Sequence, residues 1–166
     1  MKRILLLVPV ASMLAAAIAL LGVAQAAPTI GSTADAKCLA EAAKTVEQPG
    51  FKPADYTFIA GTEGDDNFTD PARGGSFVFC GFGGDDSIET FDSHGQDIFL
   101  GGEGNDYVSY NEGTFYGQEG NDEVNHNLGT VYGGAGDDLV HDNQGTFYGQ
   151  EGNDEVSLNN GIFVQD

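Results

Sequence analysis

The sequence predicts an all-β protein whose chain winds into a parallel β-roll, a β-solenoid of 16–20-residue coils, preceded by a short N-terminal capping helix. A six-residue Gly-Asp turn begins at positions 61, 81, 101, 117, 133 and 149, so its spacing is 20, 20, 16, 16 and 16 residues. Gly stands first and fourth and Asp stands sixth in every turn. Apolar residues recur at fixed places between the turns. A constant period in this range is typical of stacked coils that bury their apolar side chains against one another.

The first segment, residues 1–26, has the pattern of a cleaved signal peptide. Two basic residues precede an apolar run at positions 4–23, and an Ala-Gln-Ala cleavage site ends at Ala26. An uncleaved membrane anchor is the alternative, because 20 mostly apolar residues can span a bilayer. We expect a secreted, extracellular protein that begins at Ala27.

The second segment, residues 27–55, is predicted to be a leader that contains the short helix. The stretch from Ala34 to Glu47 is rich in Ala, and Leu39 and Ala43 fall on one face of a helix. Pro49 and the Gly after it end the pattern. We expect this helix to cover the open end of the solenoid, because end coils need a cap. The alternative is a loosely ordered leader.

The third segment, residues 56–166, is predicted to be the repeat domain. A strand at 56–60 leads into the first turn, and each later coil contains two short strands that alternate apolar and polar residues. The apolar positions form two predicted core columns. One column is Phe68, Ile88, Val108, Val124, Val140 and Val156, and the other is Phe79, Phe99, Phe115, Val131, Phe147 and Phe163.

A second corner of the coil carries Asn-x-Gly in the regular coils. Its Asn residues are Asn111, Asn127, Asn143 and Asn159. Stacking predicts a ladder of side-chain amides at this corner. The corner has no equivalent of the sixth-position Asp, so we expect no metal there.

The Gly-Asp turns predict a metal site. Stacking places Asp66, Asp86, Asp106, Asp122, Asp138 and Asp154 in one column. Two bare carboxylates about 5 Å apart repel each other by about 0.8 kcal/mol in water and by about 3 kcal/mol at an effective dielectric near 20. Calcium prefers six to eight hard oxygen ligands, and Gly lets the backbone aim carbonyls at one point. We therefore expect Ca²⁺ between the coils, along one edge only.

From Phe58 to Asp166 the chain resembles the Gly-Gly-x-Gly-x-Asp nonapeptides of RTX (repeats-in-toxin) calcium-binding proteins, which form parallel β-rolls. The resemblance implies up to five ions, each held between successive turns by the sixth-position Asp residues and nearby carbonyls. The implied carbonyl donors are Gly61, Gly64, Gly81, Gly84, Gly101, Gly104, Gly117, Gly120, Gly133, Gly136, Gly149 and Gly152.

Three departures from the family pattern are visible. The second turn position is Gly only at Gly102 and Gly134, one of the two usual turns of each coil is replaced by the Asn corner, and a cleavable signal is present. A role as a toxin is therefore not implied.

The net charge limits the classes of binding partner, and the cysteine count predicts a disulfide. The net charge of −20 becomes −22 when residues 1–26 are removed, because two of the six basic residues and none of the 26 acids are lost. This charge excludes nucleic acid and anionic membranes as ordinary partners. Acidic, Gly-rich chains are often disordered, so we expect disorder without calcium and order with it. An even count of exported cysteines predicts a disulfide between Cys38 and Cys80, with free thiols as the alternative.

We do not expect an enzyme. His94, His126 and His141 are scattered, and no Ser–His–acid arrangement stands out. The leading hypothesis is a secreted calcium-binding protein with a structural or interaction role. The alternative is an adhesion, surface- or glycan-binding module that uses an outward face formed by Tyr116, Tyr132, Tyr148, Thr114, Thr130 and Thr146, although Tyr and Thr simply favour strands. A third class, an enzyme accessory module, is weakened by the short chain.

Overall fold

The N-terminal helix opens the part of the chain that the structure describes. The computed structural model describes residues 32–71, 75–91 and 96–165, so the expected signal peptide and His94 lie outside the described residues. Helix α1 spans Thr33–Thr45, close to the predicted bounds. It begins after Ser32, whose hydroxyl accepts a hydrogen bond of 3.1 Å from the Asp35 amide. Such an N-cap satisfies one of the free amides of the first turn.

Thirteen strands follow in the described ranges, and they form two parallel sheets. The odd-numbered strands form sheet A, in the order β1-β3-β5-β7-β9-β11-β13: Thr57–Ala60, Phe77–Gly83, Ile98–Glu103, Thr114–Glu119, Thr130–Ala135, Thr146–Glu151 and Ile162–Val164. The even-numbered strands form sheet B, with neighbours in the order β2-β4-β6-β8-β10-β12: Asn67–Phe68, Ser87–Phe91, Tyr107–Asn111, Glu123–Asn127, Leu139–Asn143 and Glu155–Asn159. The chain alternates between the sheets, which confirms the predicted β-solenoid of about six turns.

The core lies between the two sheets. Pairing is in register, so that Phe99 faces Phe115 in sheet A and Val108 faces Val124 in sheet B. The two predicted core columns meet in one buried cluster, at whose C-terminal end Val156 and Phe163 are only partly buried. Each coil therefore buries its inward side chains mainly against the same positions of its neighbours.

Helix α1 packs against β1 and β3, the first strands of sheet A, near the end of the solenoid where the sequence predicted a cap. Its buried residues Cys38, Leu39 and Ala42 pack on the outer face of sheet A, in a cluster with Ile98 and Leu100. At these outward positions the later coils carry Thr and Tyr. The apolar outer face of the first coils needs a cover, and the helix supplies it.

A disulfide joins Cys38 of α1 to Cys80 of β3, with their Cα atoms 5.6 Å apart. It ties the leader to the second strand of sheet A, where Cys80 is almost fully buried. Within the described ranges, no helix has the length and apolar character needed to cross a membrane.

Candidate metal centre

The turn edge is defined as the edge of the solenoid formed by the Gly-Asp turns. Its backbone is left-handed at the second position of every turn except the first, where Thr62 stands. Phe82, Gln118 and Gln150 have φ angles of 80°, 84° and 76° there, and Gly102 and Gly134 have φ angles of 121° and 120°. The backbone is left-handed whether or not the residue is Gly, at a cost of about 1–2 kcal/mol for a residue with a Cβ. The departure from the family pattern at this position therefore leaves the turn shape unchanged in these coils.

The fourth-position Gly allows the coils to stack closely. A Cβ added at Gly120 would overlap the carbonyl oxygen of Gly104 in the preceding coil, and φ is 130° at Gly120. The same approach recurs at Gly136 and Gly152. The fourth-position carbonyls from Gly84 to Gly136, which were expected to be ligands, thus lie against the Gly of the next coil.

The Asp column, defined as the six sixth-position residues, is tied together by its own carboxylates. In each pair of neighbouring coils, Oδ1 of the later Asp accepts a hydrogen bond from the backbone amide of the earlier Asp. The five bonds measure 2.7–2.9 Å and run from Asp66 to Asp154. One oxygen of each carboxylate from Asp86 onward is therefore occupied by the backbone.

The fifth turn position forms a second ladder that runs in the opposite sense. Here the side-chain oxygen of the earlier coil accepts a hydrogen bond from the backbone amide of the later coil. Asn105 Oδ1 accepts from the Asn121 amide at 2.9 Å, and Asn121 Oδ1 accepts from the Asp137 amide at 2.7 Å. The same bond links the fifth positions of the other neighbouring coils. Sequence reasoning missed this role, although the restriction of the fifth position to Asp or Asn was its signal.

The second carboxylate oxygen, Oδ2, is buried and without a hydrogen-bond partner in four members of the column. These are Asp86, Asp106, Asp122 and Asp138, which are only 1–3% exposed. Burial raises the pKa of Asp86 to about 6, that of Asp106 and Asp138 to about 7, and that of Asp122 to about 8. The backbone hydrogen bond opposes this shift, and neighbouring carboxylates add to it. A proton or a cation is needed to stabilise these oxygens.

A backbone carbonyl of the next coil approaches each of these four oxygens. If a Cβ were added at the first-position Gly of the same turn, it would lie under 3.0 Å from both the Asp Oδ2 and the first-position carbonyl oxygen of the next coil. The four oxygen pairs are Asp86 with Gly101, Asp106 with Gly117, Asp122 with Gly133, and Asp138 with Gly149. Two oxygens, neither of which carries a hydrogen, thus lie close to the same Gly. A cation shared between them would offset their mutual repulsion.

The two ends of the Asp column differ from its middle. Asp66 Oδ2 accepts hydrogen bonds from the backbone amide of Thr62 at 2.6 Å and from the Thr62 hydroxyl at 3.0 Å. Asp154 Oδ2 accepts a hydrogen bond of 2.8 Å from Nε2 of Gln165. Both end carboxylates therefore have donors where the four interior ones have none in the described chain.

The opposite edge of the solenoid carries the predicted amide ladder. Asn111 Nδ2 donates to Asn127 Oδ1 at 2.8 Å, and the pattern continues through Asn143 to Asn159. The same Nδ2 atoms also donate to backbone carbonyls such as that of Thr146. Only the Oδ1 atom of Asn111, the first amide of the described ladder, is buried without a donor. All of these side chains are neutral, so this edge has no unbalanced charge to attract a cation.

The other candidate groups do not converge with the column. His126 lies 3.4 Å from Asp142 and His141 lies 3.0 Å from Glu123, in contacts on the outer face of sheet B. Across the described ranges, no three His, Cys, Asp or Glu side chains form a group that could hold a metal. An ion at the turn edge would consequently take most of its ligands from backbone carbonyls and water.

Comparison of the chain with protein-family models, with curated proteins and with solved structures returned no match.

Proposed function

We propose that this protein binds several calcium ions along the turn edge and that this binding completes its fold. One observation supports the proposal above all others. Asp86, Asp106, Asp122 and Asp138 each bury a carboxylate oxygen that has no hydrogen-bond donor in the described chain. A buried carboxylate that is neither paired nor protonated is strongly destabilising. A cation present only in the folded chain removes that cost and stabilises the fold by mass action.

The donor set favours calcium over other metals. Every candidate ligand is a carboxylate or carbonyl oxygen, and hard oxygen donors suit calcium, magnesium and manganese rather than zinc or copper. Calcium accepts six to eight such ligands in flexible geometry, whereas magnesium demands a compact octahedron and keeps its water. The four oxygen pairs would hold the ions, so we propose four ions in the interior of the column. When bound, calcium supplies the positive charge that these carboxylates lack.

The wider assignment belongs to the same proposal. We infer a secreted, non-enzymatic protein related to the RTX repeats, with a structural or interaction role. The left-handed second position and the first-position carbonyls agree with that resemblance. The signal peptide in residues 1–26 stays a prediction, which N-terminal sequencing of the exported protein would test.

The test is a calorimetric titration of the chelator-treated protein at pH 8, followed in parallel by circular dichroism. We expect about four ions per chain and a gain of β-structure on calcium addition. Asp122→Asn should lower the number of ions bound, because it removes a charge from the middle of the column. Asp142→Asn, the same change on the outer face of sheet B, should leave that number unchanged. A full β spectrum in chelator at pH 8 and no heat of binding would refute the proposal.

The alternative, a glycan- or surface-binding module on the Tyr/Thr face, has less support. Tyr116, Tyr132 and Tyr148 stack on one another with centroid distances of 4.7 and 5.0 Å and interplanar angles of 7° and 9°. Their ring faces are therefore turned toward one another, and sugars stack on open ring faces. Tyr116 is also buried. Retention of the protein on a glycan array, abolished by Tyr148→Ala, would favour this alternative.

A further inference from the structure

The hydrogen-bond donors at the two ends of the Asp column point to a mechanism that limits the number of ions the column binds. A carboxylate oxygen that accepts a hydrogen bond presents its lone pair to a hydrogen, and that hydrogen stands where a cation would bind. A donor and a cation that approach Oδ2 along the same lone pair therefore compete for it. We propose that Thr62 and Gln165 are neutral hydrogen-bond caps that close the ends of the column and confine calcium to the four interior carboxylates. This inference rests on the proposed calcium binding.

At the N-terminal end, the cap is built into the first turn. The Thr62 amide donates to Asp66 Oδ2, and the single hydroxyl hydrogen of Thr62 is shared between Asp66 Oδ2 at 3.0 Å and the Gly64 carbonyl oxygen at 3.1 Å. The space beside Gly61 is also filled differently from the others. A Cβ added at Gly61 would lie 2.7 Å from Asp66 Oδ2 and 2.9 Å from the Phe68 ring. The Cys80 carbonyl oxygen lies 3.1 Å from the same point, so in the first turn an aromatic ring stands nearer than the carbonyl of the next coil.

At the C-terminal end, the cap comes from outside the repeats. Gln165 Nε2 donates to Asp154 Oδ2 at 2.8 Å and contacts the Gly152 carbonyl oxygen at 3.3 Å. In the interior, the next coil brings a first-position carbonyl beside Oδ2; beside Gly149, a Cβ would meet only atoms of Asp154 among its nearest neighbours. The Gln165 amide nitrogen therefore contacts two acceptor oxygens at this end, one from the Asp154 carboxylate and one from the fourth-position Gly152 carbonyl.

Replacement of one side-chain atom at position 165 would convert this cap into a calcium ligand. Gln165→Glu replaces the donating nitrogen with an oxygen of nearly the same position, beside Asp154 Oδ2 and the Gly152 carbonyl. Three oxygens would then face one another with no hydrogen among them, which is the condition that favours calcium. We expect the full-length variant to bind one additional calcium ion compared with the native chain.

Gln144→Glu is the matched control. Gln144 is exposed and donates from Nε2 to Asp142 at 3.2 Å, so the change also adds one negative charge and removes one Gln–Asp hydrogen bond. It stands at the Asn corner, away from the turn edge, and should leave the number of ions unchanged. Gln165→Ala removes the donor and leaves Asp154 Oδ2 open to calcium, so this variant should also bind one additional ion, more weakly than Gln165→Glu.

The experiment is a calorimetric titration with calcium chloride at pH 8, with circular dichroism to establish that each variant folds in calcium. One more ion in Gln165→Glu and in Gln165→Ala, and none in Gln144→Glu, supports the inference. An unchanged number in folded Gln165→Glu, or an equal rise in Gln144→Glu, would overturn it while calcium binding by the native chain still stands. More than four ions in the native chain would overturn the inference that the two caps confine calcium to the interior carboxylates. A native chain that binds no calcium refutes the proposed function itself, and the inference with it.

Discussion

The contacts of Asn127 allow us to work out how much free energy of unfolding is lost when the amide ladder is broken. Asn127 is fully buried and takes part in three side-chain hydrogen bonds: it accepts from Asn111 at 2.8 Å, and it donates to Asn143 Oδ1 at 2.8 Å and to the Thr146 carbonyl at 3.2 Å. Each such bond contributes about 1 kcal/mol net. Asn127→Ala also leaves the buried Asn143 Oδ1 without that donor, which costs about 1 kcal/mol more. We expect a total loss of about 4 kcal/mol in the free energy of unfolding.

The assay is denaturant unfolding at saturating calcium, followed by circular dichroism, together with the calorimetric ion count. Because the Asn corner is proposed to hold no metal, the number of ions should not change while the stability falls. Asn160→Ala, an exposed change at the last corner, is the control and should cost about 0.5 kcal/mol or less. A loss of under about 1 kcal/mol for Asn127→Ala would refute the ladder as a stabilising element. A reduced ion count in that folded variant would refute the single-edge model of metal binding.

Three further predictions concern the turn edge. Without metal, stability should fall as the pH rises from about 4 to about 8: burial raises the pKa of Asp122 to about 8 from 3.8, so the folded chain binds more protons than the unfolded chain. Thermal melts of chelator-treated protein across this range would check it, and stability that rises with pH would contradict it. Magnesium at the concentration that saturates calcium binding should not restore the β spectrum; equal folding in both ions would exclude the calcium preference. Gln118→Gly should raise the free energy of unfolding by about 1 kcal/mol, because φ is 84° at this residue, whereas Gln144→Gly should not.

The sequence predicted most of the fold because, in a stacked repeat, residues at equivalent positions of neighbouring coils are also neighbours in space. Phe115 packs on Phe99 because each occupies the same place in its coil, so a period read from the chain also gives the neighbour in space. The amide ladder through Asn127 follows from the same logic. Helix α1 has no such partner in the pattern. Its position on sheet A depends on the apolar outer face at Ile98 and Leu100, whose cover comes from a distant part of the chain.

The candidate site was predicted in its residues but not in its bonding. The period placed Asp106 beside Asp122, but it could not show that Oδ1 of each is taken by a backbone amide. That bond depends on the direction in which the carboxylate turns, and both directions fit the same repeat. Gln165 gave no sequence signal at all, because it stands outside the periodic turns and meets Asp154 only after the last coil has folded back.

The two opposed ladders of the turn edge have a consequence for how the length of this protein can change. In the regular coils, every bond of these ladders joins a residue to the one 16 places away, so removal of residues 117–132 would set Tyr116 before Gly133 and recreate the same junction. The core columns and the Asn corner would close in the same way, because they share that step. A whole coil is therefore the natural unit of deletion or duplication, and each coil added or lost would change the proposed number of bound cations by one. Recombination between neighbouring repeats would change the proposed number of bound cations in steps of one and would leave both ends of the solenoid unchanged.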